Sequence, residues 1–548
     1  MPESFTPAIH FVADAFRTAR QDLMGLPVAN QGFLQALIRY GDLETLHAYT
    51  SSRARFGQTF EHLARDLGAT MPIRVIDGRR LDQLAEVGGL AVCDPNIATF
   101  ARQRSFIGSR AYALTGLTHT LADFPPMAML ADLAAAPVQP WDALVCTARV
   151  AAKMVEEMLQ AEERRLSERL GSVHFPRPLL PVIPLGVDTA RFAPREDWRA
   201  SWRERLGIGA EEVAVLYLGR LSRHGKAHPL PMMAALGRAA RTQPYRLHLI
   251  LAGWWLHPPE EAIWREQAAA LCPEVPLHLL DGREEAVRRE IWSAADIFTH
   301  LVDNIQETFG QAPVEAMAAG LPVVVTDWAG FRDTVRQGVD GILVRTIMAP
   351  PGEGREASLR YATFNIYYGT WLSLTARLTA VDIAGAAEAF RALAADRTLR
   401  RRMGAAGQTR AREMFDWSAV IPQYQSLWRA QQAIRLAAPA TQVPVPDPRY
   451  MDPNQAFAMW PSGTFQLSQR LRPDPAATTT ELRPLLRFTA PSLPGEFDEA
   501  EISELLAELR RAGDATVEEL LRVLEPPRRD AGQRAVLWLL RVGLAVKS

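Results

Sequence analysis

Hydrophobic positions over roughly the first 435 residues follow two alternating patterns. Short apolar, β-rich runs, several of them continuously apolar, alternate with longer amphipathic stretches. In the first part the runs are IHFVAD, TLHAYT, IRVID, YALTGLTH, DALVCTA and LLPVIPLG; in the second they are VAVLYLG, RLHLILAG, PLHLLDG, DIFTHLV, PVVVTD and GILV. A strand apolar at successive positions has both faces covered, as in parallel sheets flanked by helices. Alternation on this scale predicts an α/β protein with two doubly wound domains, one over residues 1–195 and one over 196–414. Between them GVDTARFAPREDWR breaks the pattern.

Three segments depart from this alternation. Residues 346–378, TIMAPPGEGREASLRYATFNIYYGTWLSLTARL, are too long for an ordinary connection and predict an insertion with contacts of its own. Residues 436–496 are proline-rich and suit an extended arm, whose Tyr450, Phe457, Trp460 and Phe465 suggest packing on a surface. Residues 497–548 predict a small all-α module of three helices. Asp498 with Glu501, and Thr516 with Glu519, have the spacing of a helix-starting cap and acid. Ile502, Leu505, Leu506 and Leu509 form one apolar stripe, Val517, Leu520, Leu521 and Leu524 another, and GQRAVLWLLRVGL supplies the third helix. Such a module could pass for a winged-helix DNA reader. Its 10 acidic and 8 basic side chains, a net charge of −2, argue against that, because DNA readers gain affinity by neutralising phosphates. A docking or oligomerisation role is the expectation, and a homo-oligomer is one outcome of it.

Composition narrows the class. The 548 residues carry 61 basic and 62 acidic side chains, so nothing draws the chain as a whole to nucleic acid or an anionic membrane. Cys93, Cys146 and Cys272 are far apart, with no CxxC and no Cys/His cluster, which reads as buried thiols in a reducing compartment. The N-terminal MPESFTPAIHFVADAFRTAR lacks an apolar signal core, and no stretch approaches the ~18 apolar residues of a membrane span. A cytoplasmic protein is expected, with at most peripheral membrane contact.

Candidate chemistry centres on ETFGQAPVEAMAAGLPVVVT, residues 307–326. DIFTHLV is a strand, so residues 303–310 leave its C-terminal edge, where open α/β sheets bind ligands. Pro313 suits the first turn of the next helix. The backbone N–H groups of Phe309, Gly310, Gln311 and Ala312 would then form an anion site at the helix start, with Gly310 letting a ligand approach. Glu315, one turn in, can accept hydrogen bonds from both ribose hydroxyls, and Glu307 would face whatever lies beyond the phosphates. The alternative is two solvated surface acids. In VLYLGRLSRHGKAHPL, Arg220 and Lys226 follow another strand and make a site for a diphosphate, which they would stabilise as a leaving group in place of a metal ion. The alternative is a pair of surface cations.

These stretches, preceded in order by VIPLGVDTARFAP (182–194), resemble the retaining, family-four (group 1) nucleotide-sugar glycosyltransferases of the GT-B fold. LRRRMGAAGQTRAREMFDWSAVIPQYQSLW (399–428) is similar to that family's closing helices. The resemblance implies two Rossmann-like domains facing a cleft, with a crossover helix over 415–435 returning to the first. It implies that Arg220 and Lys226 hold the donor diphosphate, Glu315 the ribose, and Glu307 the sugar near its reacting carbon. His119, in LTGLTHTLAD, resembles the family's cleft histidine; the plainer reading is a histidine making one backbone bond. The chain departs from the family at Leu185, where asparagine is usual. It also has separated Gly25 and Gly32 in place of adjacent glycines, and Trp328-Ala329-Gly330 in place of a double-glycine turn.

The resemblance further implies transfer with retention from a nucleoside-diphosphate sugar, no metal and no other cofactor. The acceptor is open among glycan, lipid-linked and small-molecule classes. A glycosidase needs two carboxyls flanking one bond, which the ribose and sugar assignments do not give. A catalytically silent nucleotide-sugar-binding protein, and an epimerase or phosphorylase on the same fold, are the alternatives.

Overall fold

Six parallel strands form the first sheet: β1 (Ala8–His10), β2 (Leu46–Thr50), β3 (Ile73–Asp77), β4 (Gly89–Ala91), β5 (Ala113–Leu117) and β6 (Ala143–Val145). Their order is β3-β2-β1-β4-β5-β6. A second parallel sheet contains β7 (Val213–Arg220), β8 (Leu247–Trp254), β9 (Leu277–Asp281), β10 (Ile297–His300), β11 (Val323–Thr326) and β12 (Gly341–Val344). Its order is β12-β11-β10-β7-β8-β9. The computed structural model describes residues 5–17, 25–242, 244–255, 259–439, 447–477, 482–487 and 497–548. None of its helices is long and apolar enough to cross a membrane, among the described residues.

The central strands of each sheet are buried on both faces, which is why several of them read as apolar runs. In β7, Val213, Val215 and Tyr217 enter one core while Ala214 and Leu216 enter the other. In the first sheet Ala8, Leu90 and Leu144 face one core, and Ile9, Ala91 and Val145 the opposite one.

Two readings of strands need correction. LLPVIPLG is not a ladder strand. Leu179 and Val182 make only isolated bridges to Ala143 and Cys146, because Pro178, Pro181 and Pro184 remove every third donor. The sixth strand is instead β4, whose three residues begin with the second glycine of Gly88-Gly89 and carry little pattern.

The chain crosses between the domains twice, and the crossings are bonded together. Val187 N–H donates to the Phe415 carbonyl at 2.7 Å, and Thr189 Oγ1 donates to Asp416 Oδ2 at 2.6 Å. Gly186 is needed there, since a Cβ would lie 2.2 Å from the Trp417 ring. The helix Trp417–Ala437 returns to the first domain, where Gln431 Nε2 donates to the Leu114 and Trp141 carbonyls, each at 2.8 Å.

Residues 448–548 form a separate unit. Its helices Glu499–Ala512 and Arg529–Arg541 share a core with Leu471, Leu520 and Leu544. Both proposed caps are complete capping boxes. The helical unit also carries a small antiparallel sheet: β15 (Arg470–Pro473) pairs with β16 (Ala515–Thr516) and β17 (Ala545–Lys547). A purely helical reading missed it because these strands are only two to four residues long. The sheet's central strand comes from the stretch read as an extended arm. Within that stretch Phe465 packs against the unit's core, whereas Tyr450, Phe457 and Trp460 keep 45%, 48% and 78% of their surface exposed.

Candidate active site

β7 and β10 are neighbours at the centre of the second sheet, with the chain leading outward on opposite sides from each. The crevice beyond their C-terminal ends is therefore a topological switch point, the place where open α/β sheets take ligands. Arg220 ends β7, Lys226 lies in the following loop, and Glu307 lies in the loop after β10. Lys226 Nζ donates to Glu307 Oε2 at 3.1 Å, with 30% and 11% of the two side chains exposed. Burial pushes the Glu307 carboxyl up, but Lys226, His300 and a backbone hydrogen bond from Gly310 outweigh it and hold the group below its ordinary value. Arg220 is half-buried and forms no ion pair among the described residues.

Asn304, fully buried, ties the two loops together. Its side-chain N–H donates to the His224 carbonyl, and its Oδ1 accepts from the Gln306 N–H at 2.8 Å. Its carbonyl accepts from the Trp328 indole at 3.0 Å and from the Glu307 N–H at 3.4 Å. Next to it, Asp303 Oδ1 accepts from the His228 N–H at 3.2 Å, and burial raises the Asp303 carboxyl to about 6. His300, at the end of β10, lies edge-on to Tyr217 with centroids 5.2 Å apart. Neither of its ring nitrogens has a partner among the described residues. Burial lowers it to about 4, so it is neutral at pH 7.

The helix Gln311–Ala318 starts from Gly310, at φ 86°. The glycine has a further reason besides ligand approach. A Cβ would lie 2.0 Å from the Phe331 ring, so packing as well as backbone conformation demands glycine, whatever approaches from outside. The Phe309 side chain packs with Val187, Val314 and Phe415 at the domain junction. Only its backbone N–H is therefore available to an anion, while Gln311 and Ala312 stand half-buried in the first turn.

Residues 199–347, which hold Arg220, Lys226, Glu307 and Glu315, match the family described as "Glycosyl transferases group 1". The second Rossmann-like domain is thus similar to the group 1 glycosyl transferases. D-inositol 3-phosphate glycosyltransferase of Geodermatophilus obscurus is 34% identical over 189 residues, 33% of this chain and 40% of that protein. The protein of that name from Nocardia farcinica is 32% identical over 193 residues, 34% of this chain and 40% of its own length. The chain thus spans about two fifths of the length of these curated relatives. Anabaena Alr3699/HepE, solved in complex with UDP, superposes with a TM-score of 0.51 at 16% identity, over 78% of this chain and 100% of that one. That likeness, with the two six-stranded sheets, makes the fold GT-B.

Glu315, in the same domain as Glu307, faces a different set of side chains. It opens on a cavity of about 310 Å³ lined also by Gln311, Arg191, Arg288 and, from the first domain, Gln31 and Gly32; Arg220, Lys226 and Glu307 are not among its walls. Burial pushes the Glu315 carboxyl up to about 7, against the pull of Arg191. His119 stands two residues beyond β5 and makes a hydrogen bond to the Cys93 backbone, while its Nε2 has no partner among the described residues. Burial lowers it to about 4. Asn304 and His300 were not singled out by sequence reasoning. The available signal for both was position, since DIFTHLVDN puts them at and just past a central strand's C-terminal end.

Proposed function

We propose that this protein transfers a sugar, with retention and without a metal ion, from a nucleoside-diphosphate sugar to an acceptor. The observation that carries the reading is the Lys226–Glu307 pair beside Arg220 at the switch point of the glycosyltransferase domain. A diphosphate entering there would be held by Arg220, Lys226 and the N–H groups at the start of the helix Gln311–Ala318. As Lys226 turns to the phosphate, Glu307 is released to accept hydrogen bonds from sugar hydroxyls near the reacting carbon. The acceptor oxygen attacks on the face that the diphosphate leaves, and the departing phosphate oxygen takes the acceptor proton. Charge that develops on the diphosphate is met by groups already in place, which is where preorganised cations lower a barrier most.

Glu315 is assigned to the ribose, and His119 to the sugar from across the cleft. The relatives named for D-inositol 3-phosphate suggest a hydroxyl-bearing acceptor; here it is assigned only to the glycan, lipid-linked and small-molecule classes. The reaction is placed in the cytoplasm or at the inner face of the membrane.

A panel of UDP-, GDP-, ADP- and dTDP-sugars tests the reading. Release of nucleoside diphosphate from one base class, lost in Glu307→Gln, supports it. A donor that raises the melting temperature but is never turned over shows a silent binder instead.

A further inference from the structure

Residues 346–378 fold into a helical hairpin on a narrow neck. Strands β13 (Thr346–Met348) and β14 (Thr379–Val381) pair antiparallel at its base, and the helices Arg355–Ala362 and Tyr368–Ala376 project from it. The hairpin's inner side is a cluster of three aromatic rings. Tyr361 stacks on Trp371 with centroids 5.2 Å apart and planes at 17°, and Tyr368 lies 6.3 and 6.2 Å from those two rings.

Two hydroxyls of this cluster point to opposite sides of the cleft. Tyr361 OH donates to Asp123 Oδ1 at 2.7 Å; Asp123 caps the helix Phe124–Asp132 in the first domain, four residues after His119. Tyr368 OH accepts from Gln306 Nε2 at 3.2 Å, and Gln306 immediately precedes Glu307. Gln306 is otherwise fixed through its backbone to Asn304, while its Oε1 is buried and unpartnered among the described residues. One aromatic cluster thus runs from the first domain to the loop that holds Glu307.

We propose that this hairpin is an interdomain clasp, in which Tyr361 and Tyr368 are positioning residues that hold the Gln306–Glu307 loop in place by anchoring it to Asp123. The geometry makes loop order depend on the first domain being close. No hydrogen bond joins Tyr361 to the loop among the described residues, so its effect passes through the ring cluster and Tyr368. The loop's role in transfer rests on the function proposed above, whereas the mechanical coupling does not.

The test is hydrogen exchange on the full-length chain, read over residues 303–310. Tyr361→Phe, Tyr368→Phe and Asp123→Ala should each speed exchange in that loop about fivefold, the scale for one lost hydrogen bond. Asp123→Asn, which keeps both the cap and the acceptor for Tyr361, should restore the wild-type rate. Acceleration confined to residues 346–381, or equal effects of Asp123→Ala and Asp123→Asn, overturns the clasp. Where a donor is turned over, the same three variants should lower kcat with little change in donor KM; a pure KM effect also overturns it. A chain that turns over no donor but passes the exchange test would refute the transfer reading and leave the clasp standing.

Discussion

Lys226 Nζ lies 3.1 Å from Glu307 Oε2, and the contact joins the loop after β7 to the loop after β10 at the centre of the second sheet. Removing Lys226 leaves a nearly buried carboxylate unpaired and takes one cation from the diphosphate site. Lys226→Ala and Arg220→Ala should each cut turnover by about 10²–10³, the range for loss of one preorganised charge stabiliser. Steady-state kinetics with and without EDTA check this together with the metal-free mechanism. Activity abolished by EDTA and restored by manganese would contradict it.

The two glutamates should separate in kinetics. Glu315→Gln should chiefly weaken nucleotide binding, because ribose is held alike in ground and transition states. Glu307→Gln should chiefly lower kcat. If Glu315→Gln binds free nucleoside diphosphate as tightly as wild type, the carboxylate serves the cavity it shares with Arg191 and Arg288, not the ribose.

Glu315 also predicts a pH effect on stability. Burial raises its carboxyl from 4.5 to about 7, so the folded chain binds this proton more tightly than the unfolded chain does. Stability from the protonated group is complete below the unfolded value and is lost as pH rises through about 7. Glu315→Gln removes this dependence. The melting temperature of wild type relative to the variant should therefore fall between about pH 4.5 and about pH 7.5. A difference that does not change over that window would place the carboxylate in a solvated setting.

Much of the second domain was legible because its physics is local. Residues of β7 alternate between two cores, so apolar continuity announced a covered parallel strand, and position at the C-terminal edge singled out Arg220, Lys226 and Glu307. What escaped depends on partners distant in sequence. Asn304 matters because His224 and Trp328 meet it, and Gly310 is required by Phe331. β4 and β15 are too short to show a period and exist only through their neighbours. LLPVIPLG misled because its apolar run hides the spacing of its prolines.

The turn 328–330 makes a paired prediction. Ala329 sits at φ 41°, a left-handed conformation that costs an L-residue about 1–2 kcal/mol. Ala329→Gly should relieve most of it and, after the greater entropy of glycine in the unfolded chain, stabilise by up to about 1 kcal/mol. Gly330→Ala should do the opposite, since its Cβ would lie 2.5 Å from the Thr308 carbonyl oxygen in the loop after β10. Urea denaturation measures both. Equal stability of the two variants would contradict the assignment.

The unit 448–548 has its own core, and the candidate donor residues all lie outside it. Deleting it should leave nucleotide binding unchanged. Light scattering on the full and shortened chains tests the proposed oligomerisation role, which an unchanged number of subunits would remove.

The central claim is a diphosphate site built by Arg220, Lys226 and the start of the helix Gln311–Ala318. Calorimetric titration of UDP, GDP, ADP and dTDP into wild type and Lys226→Ala tests it most directly. The account predicts saturable binding of at least one nucleotide by wild type, with no added metal, and weaker binding of that nucleotide by the variant. Equal affinity in the two proteins, or no binding of any of the four to wild type, would contradict it.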